Sequence, residues 1–370
     1  MPGTVLFTAS TWSHITNFHR PYLSAFRTQG WTVHAACGGE KREIPEADLC
    51  IALPFEKKMS SPSNLRAASQ LRRLVKEHRY ALICTHTSLA AFFTRLAVLG
   101  LPHRPAVVNV AHGYLFDDQT PPLKRQILLT AERLTAPVTD LLLTMNRWDY
   151  DCARAHCLGR RVENIPGVGV DFSHFTSLST EVREAHRAQL GLAPDDFLLL
   201  YAAEFSARKN QAMLLRALPQ LPPHVKLALP GSGALLEDCR RLAETLGVAD
   251  RVLFPGHVDM PVWYATADAA VSASRSEGLP FNVMEAMYTA LPVVATAVKG
   301  HTDLLEDGKT GLLYPYDDEA AFLSAVRRLL EDPAAASAMG AAAHEHVLQY
   351  GLASVLPQVM EQYLSVLKTP

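Results

Sequence analysis

At 370 residues the chain is too long for one comfortable hydrophobic core and suits two domains of ordinary size. With 48% hydrophobic and 19% charged residues it is neither disordered nor highly charged, and no apolar run reaches the roughly 18 residues of a membrane span. The net charge of −2 conceals a split: up to residue 168 there are 20 Lys and Arg against 13 Asp and Glu, and beyond it 15 against 24, with no aromatic-interleaved basic stripe for nucleic acid.

The opening Met1-Pro2-Gly3-Thr4-Val5-Leu6-Phe7 lacks a basic n-region and a long apolar core, and reads as a first strand and not as a signal peptide. Short apolar runs at Val5–Ala9, Thr32–Ala36, Ala81–Thr85, Ala106–Ala111 and Asp140–Thr144 predict buried parallel strands. Between them, helical periodicity predicts helices near Phe18–Gln29, Asn64–His78, Leu89–Leu99, Leu123–Leu134 and Trp148–Cys157. Ile165-Pro166-Gly167-Val168-Gly169-Val170-Asp171 punctuates the chain, and a hinge is placed at about 166–176. A polar helix follows over Glu181–Gly191. A second strand series then runs through Phe197–Ala203, Val225–Leu229, Val252–Phe254, Ala269–Ser272 and Val293–Ala295. The rhythm is α/β and predicts two Rossmann-like, doubly wound domains, residues 1–168 and 169–351. The last helix, Ser354–Leu367 within 352–370, carries Val355, Val359, Tyr363 and Val366 at helical spacing and suits packing back on the first domain. Cys37, Cys50, Cys84, Cys152, Cys157 and Cys239 form no C-x-x-C pair, so reduced thiols are expected.

Ligands of such sheets bind where strands end, so the loops after strands carry the search. Ser274 to Met287 follows a strand and opens a helix, with Pro280 suited to the first helical turn. Free N–H groups at a helix start bind anions. Glu277 on the loop and Glu285 in the helix are eight residues apart, and Glu285 suits the two hydroxyls of a ribose. On spacing alone, two glutamates decorating a helix start is the better description. Arg208 and Lys209, on a turn entering a helix, oppose the helix dipole, which favours a bound anion there. The segment Asn64–Arg79 sets Arg66, Arg72, Arg73, Lys76 and Arg79 beside Leu65, Leu71, Leu74 and Val75. It reads as a basic amphipathic helix able to lie on anionic lipid, or as an ordinary outer helix.

The Glu277–Glu285 segment resembles the E-x7-E motif of the retaining glycosyltransferases of family 4. Other motifs follow in the family's order. Val170-Asp171 closes a "PxGVD"-like run, and Ala202 to Asn210 resembles the phosphate loop. Gly231-Ser232-Gly233 resembles the "GxG" loop, Phe254 to Val258 the "FxG" turn, and Gly300 to Gly311 the "GxxDxxxDGxxG" run. Ala111-His112-Gly113-Tyr114 resembles the "HG(F/Y)" of capsule and O-antigen type members. Two departures stand out. Ala203-Glu204 occupies places where the family commonly carries an arginine after the loop glycine, and Thr11-Trp12-Ser13-His14-Ile15 replaces a Gly-Gly.

The resemblance implies a GT-B fold with an interdomain cleft, an acceptor-binding first domain and a nucleotide-sugar-binding second domain. It implies catalytic roles for His112 and Glu277, with the donor diphosphate on Arg208, Lys209 and the amides of Leu279 and Phe281. The nucleotide and ribose fall to Glu285, His257, Val258 and Gly231, with a uridine preference. The acceptor falls to His14, Asn17 and His19. The implied reaction moves a sugar from a UDP-sugar to a glycan or polyprenyl-diphosphate-linked acceptor, in the cytoplasm or at the inner face of the membrane. No cofactor and no metal is expected. The fifteen histidines contain no H-x-x-x-H with acidic spacing, and no G-x-S-x-G elbow occurs. A sugar-nucleotide epimerase of the same fold and a non-catalytic sugar-nucleotide binding protein are the alternatives.

Overall fold

The computed structural model describes residues 3–175 and 179–367; Thr176, at the end of the expected hinge, lies outside the described residues. Contacts divide the chain into two units, Met1–Gly169 with Ala353–Pro370, and Val170–Leu352. The first contains a seven-stranded parallel sheet of β1 (Thr4–Ala9), β2 (Thr32–Gly38), β3 (Leu49–Leu53), β4 (Leu82–His86), β5 (Ala106–Val110), β6 (Leu141–Thr144) and β7 (Arg161–Asn164), in the order β3-β2-β1-β4-β5-β6-β7. The second contains β8 (Phe197–Leu200), β9 (Val225–Ala228), β10 (Val252–Leu253), β11 (Ala269–Ser272), β12 (Val293–Thr296) and β13 (Leu312–Tyr314), in the order β10-β9-β8-β11-β12-β13. Both are Rossmann-like α/β sheets, and in each the strand order reverses beside its first strand, between β1 and β4 and between β8 and β11. That crevice is where such sheets bind ligands.

Central strands are apolar on both faces because helices cover both sides; Leu82 to Cys84 and Leu141 to Leu143 have no exposed surface. Strands β3, β7 and β13 were not foreseen, and all three are sheet members with mixed or partial exposure at or next to an edge. The helix expected over Phe18–Gln29 is two, Trp12–Phe18 and Arg20–Thr28, broken at His19. In the last helix, Leu352–Ser365, Val355, Val359, Met360 and Tyr363 are buried, and Tyr363 stacks on Phe26 at 6.2 Å.

The basic helix, Pro62–His78, turns most of its apolar face inward and keeps Arg66, Arg73 and Lys76 exposed. Leu71 and Val75 point into the first unit's core, and Leu65 is the member of that apolar set left exposed. Arg72 donates to the carbonyls of Ala97 and Leu99, both at 2.9 Å, and so caps the neighbouring helix end. No described helix is long and apolar enough to cross a membrane.

Candidate functional site

In the second unit the loops leaving five strands are laced together by backbone hydrogen bonds. Ala203 N–H donates to Pro230 O (3.0 Å), Gly231 N–H to Gly256 O (2.7 Å) and Glu277 N–H to Lys299 O (3.3 Å). Gly231 has φ +137, and a Cβ there would stand 2.1 Å from the Ala203 carbonyl, so only glycine lets these two loops touch. They wall a cavity of about 350 Å³ lined by Ala203, Glu204, Gly231, Ser232, His257 and Val258. His257 Nε2 lies 2.9 Å from Ser232 Oγ and fixes that wall. Gly231, His257 and Val258 are therefore brought together, and Glu204 joins them.

At the switch point between β8 and β11, Glu277 is buried between two cations. Lys209 Nζ donates to Oε1 at 2.6 Å and Arg208 Nη1 to Oε2 at 2.8 Å. The sequence does not announce this pairing, because the partners lie 68 and 69 residues away. Tyr201 positions the lysine by donating to Lys209 O (3.1 Å), and it bonds Ser274 Oγ at 2.7 Å. Burial by itself would raise the Glu277 pKa, but Lys209, then Arg208, outweigh it and hold the carboxyl at about 2. Its folded value lies below its ordinary 4.5, so the contribution to stability, of order ~3 kcal/mol, is complete above 4.5 and lost as pH falls through about 2. Behind it Gly300, at φ +85, leaves no room for a Cβ, which would meet Glu277 Cβ at 2.8 Å. His301, fully buried, sits in the same region. Its Nδ1 donates to Thr296 O (2.8 Å), Nε2 has no partner among the described residues, and burial lowers its pKa to about 4, so it is a neutral acceptor. His301 lies within the Gly300–Gly311 run, where the sequence alone does not single it out.

The helix Phe281–Tyr288 begins one residue later than expected, because Pro280 has the extended backbone of a cap (ψ 120). Its positive end points from Leu279 and Phe281. Glu285, half-buried on this helix, accepts from Tyr264 Oη at 2.9 Å. Burial raises its pKa against that hydrogen bond. Two carboxyls eight residues apart are thus pushed in opposite directions. Another hollow of this unit, about 520 Å³ and walled by Phe175, Pro261, Tyr264 and Tyr288, is larger, but its charged Arg183 is spent on Asp268 at 2.5 Å.

In the first unit, His14, His19, His86 and His112 meet at the carboxyl ends of β1, β4 and β5. His14 Nε2 lies 3.2 Å from His112 Nε2 and 3.3 Å from His19 Nε2, and His86 Nδ1 lies 3.2 Å from His112 Nε2. Burial pushes all four imidazoles down, His14 to about 4, and the other three lower each other or are lowered by His14. His19 has no exposed surface, so it cannot touch an acceptor directly; it stacks on His86 at 3.7 Å and backs His14. Asn17 is exposed, and His14 and His112 are partly so. His86 closes β4 one residue beyond the apolar run Ala81–Thr85, so no local pattern marks it.

A family profile described as glycosyl transferases group 1 matches residues 182–346, and one described as glycosyl transferase 4-like domain matches residues 19–166. The putative glycosyltransferase EpsD of Bacillus subtilis is 31% identical over 369 residues, covering 98% of this chain and 97% of its own length. The chain belongs to the group 1 glycosyltransferases. A second relative of this glycosyltransferase is the GDP-mannose-dependent alpha-(1-6)-phosphatidylinositol monomannoside mannosyltransferase of Mycolicibacterium smegmatis, 31% identical over 355 residues (88% of this chain, 89% of that one). Among solved structures, HepE of Anabaena in complex with UDP superposes with a TM-score of 0.80 at 20% identity, over 98% of this chain and 100% of that one. WaaG, a glycosyltransferase of lipopolysaccharide biosynthesis, superposes at 0.77 and 18%, over 97% and 99%. These likenesses establish the fold, and the sequence relatives establish a transferase.

Proposed function

We propose that this glycosyltransferase moves a sugar from a UDP-sugar to a hydroxyl of a glycan or lipid-linked acceptor in cell-surface polysaccharide synthesis, with retention of anomeric configuration. The supporting observation is the Glu277–Lys209–Arg208 constellation beside the helix that carries Glu285. Arg208, Lys209 and the positive end of that helix receive the diphosphate. As the bond from phosphate to the anomeric carbon lengthens, negative charge grows on the leaving oxygen, and those groups stabilise it in place. That oxygen takes the proton of the attacking hydroxyl from the same face, so no side-chain base and no metal enters the step. Glu277 accepts from sugar hydroxyls, Glu285 holds the ribose, and the Gly231, His257 and Val258 loops hold the base. His112 is assigned to the transferred sugar, and His14 and Asn17 to the acceptor, with work on the cytoplasmic side. HepE, whose complexes hold UDP and UDP-glucose, supports the uridine choice.

Glu204 in the cavity wall favours a second donor class, because a carboxylate suits the N–H edge of guanine, and the mycobacterial relative is GDP-mannose-dependent by name. Thermal shift separates the two. A ligand at 100 times its Kd stabilises by about 2.7 kcal/mol, worth several degrees for a unit of this size. UDP and a UDP-sugar are expected to raise the melting temperature well above any rise with GDP or GDP-mannose; the reverse order transfers the assignment to guanine.

Membrane contact is assigned to the helix Pro122–Thr135 in place of the helix expected from sequence. Leu123, Ile127 and Leu134 are 76%, 61% and 52% exposed on it, at helical spacing, with Lys124 and Arg125 alongside. Apolar anchors flanked by cations suit an anionic bilayer. Sedimentation with vesicles containing phosphatidylglycerol is expected to pull the protein down at low salt, and Ile127→Glu to abolish this. Equal sedimentation of that variant removes the assignment.

A further inference from the structure

Four histidine nitrogens within 4.8 Å of one another are more than the roles assigned to His14 and His112 in the transfer require. We propose that His14, His19, His86 and His112 form a binding site for one divalent transition-metal ion of the zinc class, with four imidazole ligands.

The ligand atoms, one from each ring, all lie within 4.8 Å of one another. Three of the separations are 3.2, 3.3 and 3.2 Å. A tetrahedral ion with bonds of 2.0–2.1 Å to nitrogen has ligand–ligand edges of about 3.3–3.4 Å, so three of the six edges are already near bound length, and the His19 and His86 rings, stacked at 3.7 Å, have to splay apart for both lone pairs to reach one ion. Hydrogen bonding alone does not account for the approach. Each facing nitrogen brings either one proton or one lone pair, so the path His19–His14–His112–His86 supports at most two well-directed bonds across three contacts. One cation accepting four lone pairs engages every nitrogen at once.

The surroundings agree with that count. His19 Nδ1 and His86 Nε2 are buried with no partner among the described residues, so these rings are not held as ordinary core histidines are, by protein groups at both nitrogens. They are held by packing and by the backbone instead. Phe7 stacks on His86 at 5.7 Å with planes 13° apart. Thr87, immediately after His86, has φ +61, an outlier for a β-branched residue, and it is locked there by Ser10, whose Oγ is 2.6 Å from Thr87 Oγ1 and whose N–H donates to the same oxygen at 2.9 Å. The ends of β1 and β4 are thereby tied, and His14 and His86 are brought to one place. Ala111 N–H donates to Leu143 O at 2.8 Å and holds the start of the His112 loop.

The donor set selects the ion. Four imidazoles and no oxygen ligand disfavour magnesium and calcium and suit zinc, cobalt, nickel or copper. His14 and His112 are partly exposed, which gives the ion a way in. Because two outer nitrogens lack the carboxylate or carbonyl that normally steadies a zinc histidine, the affinity belongs near the micromolar range instead of that of a closed structural site.

The test uses the full-length, chelator-treated protein and cobalt(II), then zinc(II), as probes. One equivalent of cobalt is expected to give the intense visible absorption of tetrahedral coordination, zinc to displace it at one equivalent, and magnesium and calcium to give nothing. His86→Ala and the partly exposed His14→Gln are each expected to weaken zinc binding by at least ~100-fold, a ligand being worth no less than a supporting residue. Both variants keep UDP-induced stabilisation in the second unit, which separates loss of the site from loss of fold and leaves the donor assignment untouched. Absence of the tetrahedral spectrum, or zinc affinity unchanged in both variants, overturns the proposal.

Discussion

Glu277→Gln is expected to lower kcat by about 10²- to 10³-fold while UDP binds about ten times more tightly. The carboxylate serves two purposes that the substitution separates. In the ligand-free protein it is the counter-ion of Lys209, whose side chain is only 11% exposed, and of Arg208. A neutral amide keeps the shape but leaves both cations without that charge, and an unpaired buried charge costs about 3–5 kcal/mol. The melting temperature therefore falls, and the diphosphate of UDP, which supplies the missing charge, restores more of it than in the parent. Turnover falls because the acceptor for the sugar hydroxyls is gone and the sugar is no longer held for attack. Lys209→Ala separates from this pattern: it weakens UDP binding about 10- to 100-fold and lowers turnover as well, since a charge-assisted hydrogen bond of about 1.5–3 kcal/mol to phosphate is lost. Steady-state kinetics with calorimetric UDP titration measures both. Unchanged kcat in the glutamine variant, or weaker UDP binding, removes Glu277 from the assigned place.

What the sequence discloses follows from physics acting locally. Central strands such as Leu141–Thr144 and Val293–Thr296 are continuous apolar runs because both faces are covered, and such runs are visible without partners. Arg161–Asn164 is only partly buried, and its identity as a strand depends on pairing with β6, which no local pattern encodes. The same division runs through the site. Gly231, His257 and Val258 were legible as loops after strands, and the structure laces them into one cavity wall. The ion pair of Glu277 with Lys209 and Arg208 was not, since it is made by two loops that only the β8–β11 neighbour relation brings together. The histidine cluster is the extreme case. His14 and His19 are five residues apart, a spacing with no metal-binding signature, and their partners arrive from 67 residues or more away on β4 and the β5 loop. Topology alone assembles them.

Glu285→Gln is expected to raise the donor KM by about 10- to 100-fold with kcat nearly unchanged. Ribose hydroxyls do not change during transfer, so a carboxylate that holds them contributes equally to ground and transition states, and its loss appears in KM. The pH dependence identifies the residue. Burial raises the Glu285 pKa above its ordinary 4.5, whereas Glu277 is held at about 2 and His14 and His301 fall to about 4. A rise in donor KM that begins above pH 4.5 on acidification therefore belongs to Glu285: the carboxylate that accepts from the ribose is present above its folded pKa and lost below it. The glutamine variant, already neutral, shows no such rise. The stability sign is opposite to that of Glu277. A carboxyl whose folded pKa is raised favours the fold most fully below its unfolded value, and that contribution is lost as pH rises through the folded value. At neutral pH the glutamine variant, still able to accept from Tyr264, is accordingly expected to melt no lower than the parent. Donor KM measured across pH for both proteins, with melting curves at neutral pH, checks all of this. A KM profile with the same acid limb in the variant, or a kcat loss as large as the KM rise, places the ribose elsewhere.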